Sequence, residues 1–178
     1  MPRAGADPVR TATAAEVPEV VRLAELMYRS LGASLSEDTW ARWRQAAERA
    51  TTERLGHDLA VVVAEDPGDA GHLVSCGVGT VSTRLPNPWH DDDRVGYIQW
   101  MSTEPAFQRR GLARAVLRGL LQWFEALGIG NVELHASGAG APLYRSEGFW
   151  EGSTGLALRH RAWDPPPAAG APGTQGGA

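Results

Sequence analysis

Lysine does not occur in this 178-residue chain; all 17 basic side chains are arginine. A phosphate-binding loop of the P-loop type requires a lysine, so that class of nucleotide-binding protein is excluded. Alanine, glycine and proline are abundant beside the arginines, so the preference reads as a genome-wide codon bias and says nothing about nucleic acid. A net charge of −4 argues against a dedicated nucleic-acid binder. Cysteine is scarce as well: Cys76, the only one, has no partner for an internal disulfide, reads as a small buried hydrophobe and suits a reducing compartment. No segment approaches the roughly 18 consecutive apolar residues of a membrane span, and Met1 to Val9 has no apolar core of a secretory leader. The expectation is a soluble, cytoplasmic protein that touches no membrane and needs no metal. No internal repeat is present.

What remains is enough for one domain, which at this length buries roughly two thirds of its unfolded-chain surface. Asp164 to Ala178 is almost entirely Pro, Ala and Gly and cannot fill a core, so the domain is placed at residues 1–163 and a disordered tail at 164–178. Val9 to Thr11 is a short first strand. Thr13-Ala14-Ala15-Glu16 has the form of a capping box, followed by a helix with Val17, Val20, Val21, Ala24, Met27 and Leu31 on one face and Gly32 at its end. Ser36 caps a second helix carrying Trp40 and Trp43, whose rings read as core or pocket wall. The β-branched run within His57 to Glu65 and the segment His72 to Arg84 form an antiparallel hairpin across Asp66 to Gly71. Leu85 to Arg94 is a loop containing Asp91-Asp92-Asp93, mildly attractive to a cation.

The most informative stretch is Tyr97-Ile98-Gln99-Trp100-Met101-Ser102-Thr103-Glu104-Pro105-Ala106-Phe107-Gln108-Arg109-Arg110-Gly111-Leu112-Ala113. It reads as a buried strand, a turn and a helix start. Ala113, Val116, Leu117, Leu120, Leu121, Phe124 and Leu127 keep helical spacing, with Arg110, Arg114, Arg118, Gln122 and Glu125 opposite and Gly128 as the stop. The first turn of a helix has unpaired N–H groups and the positive end of the dipole, a setting for phosphate. The glycine spacing does not fit a Rossmann turn. A DNA recognition helix using Arg109, Arg110, Arg114 and Arg118 is disfavoured by the acidic total. Next come a strand, Asn131 to Ala136, a bend at Ser137-Gly138-Ala139-Gly140, and a short helix, Ala141 to Glu147, with Pro142 in its first turn. Further strand sequence includes Leu156 to His160. The order predicts an α/β fold of the α+β type, a partly antiparallel mixed sheet with helices on both faces.

Two motifs in this order resemble the GNAT acetyltransferase superfamily. Gln108, Gly111 and Ala113 match its Gln/Arg-x-x-Gly-x-Gly/Ala signature after a strand ending Met101-Ser102-Thr103-Glu104-Pro105, and Leu143-Tyr144-Arg145-Ser146-Glu147-Gly148-Phe149 resembles its tyrosine-bearing second motif. The resemblance spans Val9 to Trp163. It implies a GNAT-like acyl-coenzyme A N-acyltransferase fold and acetyl transfer from acetyl-coenzyme A to a primary amine of a small molecule or peptide by direct attack. It implies that the strand before the signature bulges and splays from its neighbour, which places Met101, Ser102 and Thr103 on the pantetheine arm, and it places the backbone of Arg109, Arg110, Gly111, Leu112, Ala113 and Arg114 on the pyrophosphate, with arginine side chains assisting. Backbone N–H near Met101 polarises the carbonyl, and Tyr144 is the acid for the leaving thiolate. Ser137 stands where many relatives carry an asparagine that contacts the cofactor. Glu104, Glu133, His135, Tyr97, Gln99 and ordered water all remain open as the base. The alternative is an acyl-coenzyme A sensor or regulatory module without catalysis; homodimerisation is left open.

Overall fold

The computed structural model describes residues 9–86, 93–151 and 158–161. Its centre is the continuous apolar run of β2 (Leu59–Asp66), whose first six residues are buried because both faces of the sheet are covered. The chain turns into β3 (Asp69–Thr83) and then β4 (Arg94–Thr103), each antiparallel to the last. β1 (Arg10–Thr11) pairs with β2 on the outer side. After β4 the chain crosses over through α3 (Leu112–Ala126), and β5 (Asn131–Leu134) joins β4 in parallel. β6 (Trp150–Glu151) and β7 (Leu158–Arg161) complete a seven-stranded sheet of order β1-β2-β3-β4-β5-β7-β6. The expected mixed, mainly antiparallel sheet with helices on both faces is therefore present. The tail at 164–178, residues 87–92 of the loop and Leu156 and Ala157 lie outside the described residues.

Local signals place the helices. The Thr13 to Glu16 capping box forms, but it closes a 3-10 turn (Ala14–Glu16) that runs directly into α1 (Val17–Ser30). Ser36 accepts a hydrogen bond from the Thr39 N–H and starts α2 (Glu37–Arg54). The buried side of α1 contributes Val20 and Leu23 to a core with Val61, Val63, Cys76 and Val78 on one face of the sheet. Cys76 is fully buried and its thiol is pushed up to about 12 by desolvation, as an inert core cysteine would be. On the opposite face α3 packs Val116, Leu117, Leu120 and Phe124 against Val62, Ile98, Val132 and Leu134. Leu127, expected on the same stripe, is 40% exposed because the helix ends before it, at Ala126.

α3 sits close to the sheet because glycines lie beneath it. A Cβ on Gly96 would come within 2.6 Å of Phe124, and one on Gly77 within 2.8 Å of Val116. This close seating fixes where the first turn of α3 stands relative to the end of β4. Gly96→Ala should therefore destabilise the fold by roughly 1–3 kcal/mol through overpacking of Phe124, measured as a lower urea midpoint with an unchanged slope; an unchanged midpoint would show that α3 can shift outward at no cost.

Candidate active site

β4 carries two backbone features that ordinary strands lack. First, its register with β3 slips: Cys76 pairs with Ser102 but Val78 with Gln99, so Trp100 and Met101 together oppose Gly77. Trp100 has φ +55° at this bulge, a conformation costing a bulky residue about 1–3 kcal/mol. Second, β5 accompanies β4 only from Gly96 to Ile98, its last partner being Leu134. From Gln99 onward the β5 side of β4 has no strand beside it among the described residues. A wedge opens there.

The bulge also corrects an expectation. Simple alternation puts Met101 on the face of Tyr97 and Gln99, but the extra residue exchanges the faces. Met101 turns toward α3, where its sulfur lies against Gly77, while Trp100 turns toward α1 and α2, its indole N–H donating to Tyr28 Oη at 3.1 Å. Farther along, the Ser102 carbonyl accepts from Ser75 Oγ at 3.0 Å and the Glu104 N–H donates to the Val74 carbonyl at 2.9 Å, so both residues face β3. Alternation along the strand then aims the backbone groups of Met101 and Thr103 into the wedge. Gln108 Nε2 donates to the Thr103 carbonyl at 3.1 Å, tying the helix-start loop to the strand end. Thr103 Oγ1 is held by Ser75 Oγ at 2.8 Å.

Between Gln108 and α3 the loop has two left-handed residues, Arg109 at φ +63° and Gly111 at φ +85°. Gly111 is the N-cap residue and offers no side-chain cap, and the first intrahelical bond is Ala115 N–H to the Gly111 carbonyl. The N–H groups of Leu112, Ala113 and Arg114 thus point out of the helix start without helical acceptors. Nothing lies within 4 Å of a Cβ built on Gly111, so the space above the turn is open. The exposed side chains differ in their engagements. Arg110 stacks over Phe107 at 4.9 Å, whereas Arg114 is drawn sideways to Glu147 at 2.9 Å and Ser146 at 3.1 Å. Arg118 also binds Glu147, at 2.8 Å, so these two arginines share one carboxylate and clamp α3 to the end of α4 (Ala141–Ser146).

α4 presents Tyr144 from the other wall of the wedge. The residue is 8% exposed, its ring meets Phe149 edge-on at 5.9 Å, and burial pushes the phenol up to about 12. It has no hydrogen-bond partner among the described residues and lines a cavity of about 380 Å³. The same cavity is lined by Met101, Ser102, Thr103, Gln108 and Ser137, while residues 109–114 stand outside it at the helix start. Ser137 Oγ accepts from the Gly140 N–H at 3.2 Å and so shapes the turn into α4. Of the acid–base candidates, Glu104 is spent on Arg22 at 2.7 Å and His72 at 3.1 Å, and Glu133 is buried and paired with Arg84 at 2.8 Å. Tyr97 Oη and His135 Nδ1, in contrast, meet at 2.7 Å across β4 and β5 on the cavity wall.

Sequence reasoning did not anticipate the remaining wall. The C-terminal turns of α1 contribute Leu26, Met27, Tyr28, Ser30 and Leu31 to the cavity. Trp40, read from the sequence as core or pocket wall, is 2% exposed and belongs to the core; Trp43 stands behind the wall, edge-on to Tyr28 at 5.6 Å and to Trp100 at 6.0 Å. The exposed Leu31 at the end of an amphipathic helix was the available signal.

A strand that bulges and parts from its parallel neighbour, leading to an uncapped helix start, is the geometry expected from the two motifs. The family model for the acetyltransferase (GNAT) family matches residues 20–149, which takes in α1 through α4. The chain belongs to the GNAT acetyltransferase family. Among solved structures it is similar to an acetyltransferase from Clostridium acetobutylicum whose crystal structure contains acetyl-CoA, with 22% identity, 82% of this chain and 90% of that chain covered and a TM-score of 0.72. A GCN5-related N-acetyltransferase from Ralstonia eutropha shares 26% identity over 82% of this chain and 93% of its own, at a TM-score of 0.71. Glucosamine-6-phosphate N-acetyltransferase from Arabidopsis thaliana shares only the fold, at 15% identity over 78% and 87% of the two chains and a TM-score of 0.55. No curated protein matches the sequence. As a GNAT fold member the protein has its tyrosine hydroxyl at the cavity in the neutral, donating form. A spectrophotometric titration of wild type minus Tyr144→Phe should show a phenol ionising near 12 and not near the ordinary 10. Since the folded value is raised, the associated stability is intact below 10 and is lost as pH climbs through about 12; a difference titration centred at 10 would overturn the buried placement of the hydroxyl.

Proposed function

We propose that the protein transfers an acetyl group from acetyl-coenzyme A to a primary amine by direct attack. The observation that carries this reading is the wedge between β4 and β5, which opens beside Met101 and Thr103 and has the Tyr144 hydroxyl on its far side. The pantetheine arm is an extended amide chain, and in the wedge it would take the place of the missing strand, pairing with backbone groups of Met101 and Thr103 while buried Ser102 holds the strand to β3. The pyrophosphate would sit on the N–H groups from Arg109 to Arg114, with the side chains of Arg109 and Arg110 available to phosphate and that of Arg114 committed to Glu147. Ser137 would contribute by shaping the turn that presents Tyr144, not as a replacement for an asparagine.

The acceptor enters as an ammonium and must lose a proton before it can attack. Among the side chains lining the cavity, imidazole is the type that exchanges a proton readily near neutral pH, so His135, oriented by Tyr97, is the proposed acceptor of that proton. The amine nitrogen then bonds to the acetyl carbon, the Met101 N–H stabilises the oxyanion, the nitrogen releases its second proton to solvent, and collapse breaks the carbon–sulfur bond. Tyr144 gives its proton to the departing thiolate and regains one from solvent. Raised to about 12, the phenol is still protonated when an alkylammonium loses its proton near ~10.

Calorimetric titration with acetyl-coenzyme A tests the first half. Binding should be saturable, and Ala113→Glu, which sets a carboxylate at the helix start without harming the helix, should weaken it at least about tenfold by charge repulsion. Absence of binding at millimolar ligand would overturn the proposal. For the chemical step, Tyr144→Phe should lower kcat about 100-fold with acetyl-coenzyme A affinity unchanged; an unchanged kcat would remove Tyr144 from the acid role. Binding without turnover over a broad amine panel would instead leave the non-catalytic sensor.

A further inference from the structure

The acceptor side of the cavity has a distinctive chemistry. Among the described residues, none that lines it is Asp, Glu, Lys or Arg. Described carboxylates adjoining the lining segments in sequence are paired with arginine: Glu25 with Arg44 and Arg29, each at 2.7 Å, Glu104 with Arg22 and Glu133 with Arg84. Most polar side chains of the wall are also committed to the protein itself. Tyr28 Oη is occupied by the Trp100 indole, Ser30 Oγ donates to the Met27 carbonyl at 2.7 Å, and Thr103, Gln108 and Ser137 are held as described above. What α1 and β4 offer an acceptor is therefore mainly the apolar surface of Leu26, Met27, Leu31 and the rings of Tyr28 and Trp100, with the uncharged amide of Gln99 beside them. Those rings are stiffened from behind by Trp43, edge-on to both.

Resting on the acetyltransferase reading, we propose that the acceptor is a monoamine with an apolar body, of the arylalkylamine or alkylamine class, and not a polyamine, an aminoglycoside or a phosphorylated amino sugar. A single ammonium is accommodated by the faces of Tyr28 and Trp100 and by the carbonyl end of α1, and it gives up its proton at His135 before attack. A second ammonium would be buried against leucine and methionine with no carboxylate to pair it, and a phosphate would meet no arginine. An aryl or alkyl body instead removes apolar surface from water on both sides of the contact. Selectivity then comes from the penalty on a second charge more than from recognition of any particular group. The step balances as a simple acyl transfer: the amine nitrogen gains the acetyl carbon and loses a proton, and coenzyme A leaves as the thiol.

The test is release of coenzyme A thiol from full-length protein at saturating acetyl-coenzyme A, with 2-phenylethylamine, hexylamine, spermidine, kanamycin and glucosamine 6-phosphate as acceptors. Expected is a kcat/KM for 2-phenylethylamine or hexylamine at least about 100-fold above the other three. Leu31→Glu, at a position 60% exposed and so harmless to folding, should lower 2-phenylethylamine turnover at least about tenfold and raise that of spermidine, with acetyl-coenzyme A affinity unaltered. Preference for spermidine, kanamycin or the phosphorylated sugar would overturn the proposed class while leaving acetyl transfer intact. Turnover of none of the five with acetyl-coenzyme A bound would overturn it too, and failure to bind acetyl-coenzyme A would remove the reading on which it rests.

Discussion

One extra residue in β4 organises this molecule. Opposite Gly77 the strand spends two residues, Trp100 and Met101, where β3 spends one, and the strain at Trp100 is the local cost. Three consequences follow from that insertion. Trp100 moves to the α1 face and builds the acceptor wall, Met101 moves under α3, and the backbone groups of Met101 and Thr103 point along the side where β5 has already ended. A regular strand would have kept pairing with its neighbour and left no place for a ligand's amides. The surrounding structure holds the bulge in place at both ends. On one side Gly77 has no Cβ to resist Met101, and on the other Glu104, bound to Arg22 and His72, anchors the end of β4 to α1 and β3.

The helix start depends on the same strand by way of Gln108. Its amide on the Thr103 carbonyl sets the loop's starting point, and the left-handed residues Arg109 and Gly111 turn the chain so that α3 departs with its N–H groups exposed. Gly96 and Gly77 then let the helix lie close enough for Phe124 and Val116 to fill the space over the sheet. Thus the glutamine of the signature has a structural task that sequence spacing alone does not disclose. At the far wall, Glu147 gathers Arg114 and Arg118 and fixes α4 to α3, which in turn fixes Tyr144 at the cavity.

Much of this was legible in the sequence, and for identifiable reasons. Caps and stops are local signals, so Thr13 and Ser36 marked helix starts and Gly32, Gly56 and Gly128, all at positive φ, marked turns. The signature could be read because its geometry is also local, confined to Gln108 to Ala113. The resemblance implied a bulge in this strand, but its position could not be read, since a period-2 pattern contains no sign of an inserted residue, and counting alternation past Gln99 placed Met101 on the wrong face. Nor could the partners of Glu104 and Glu133, because Arg22 and Arg84 are distant in sequence and the pairing exists only after folding. The same long-range logic hid the role of α1, whose last turns form a wall only because Trp100 has been turned to meet Tyr28.

This division between local and long-range information matches the division between donor and acceptor. The donor site is made of backbone: N–H groups at a helix start and unpaired groups on a strand, which tolerate changes of side chain provided the glycine, the glutamine and the bulge persist. The proposed acceptor site is made of side chains contributed by α1, β4 and the end of β5, and its character is set by what has been neutralised as much as by what is exposed. Arginine is the cation available throughout, and each described carboxylate close to the cavity has one bound to it. Pairing charges outside the wall leaves, among the described residues, an interior with one imidazole, one buried phenol and otherwise uncharged surface. On the proposed mechanism the charge of the reacting amine is the one that this wall must accommodate, and its loss to His135 would make the acceptor neutral and nucleophilic in one step.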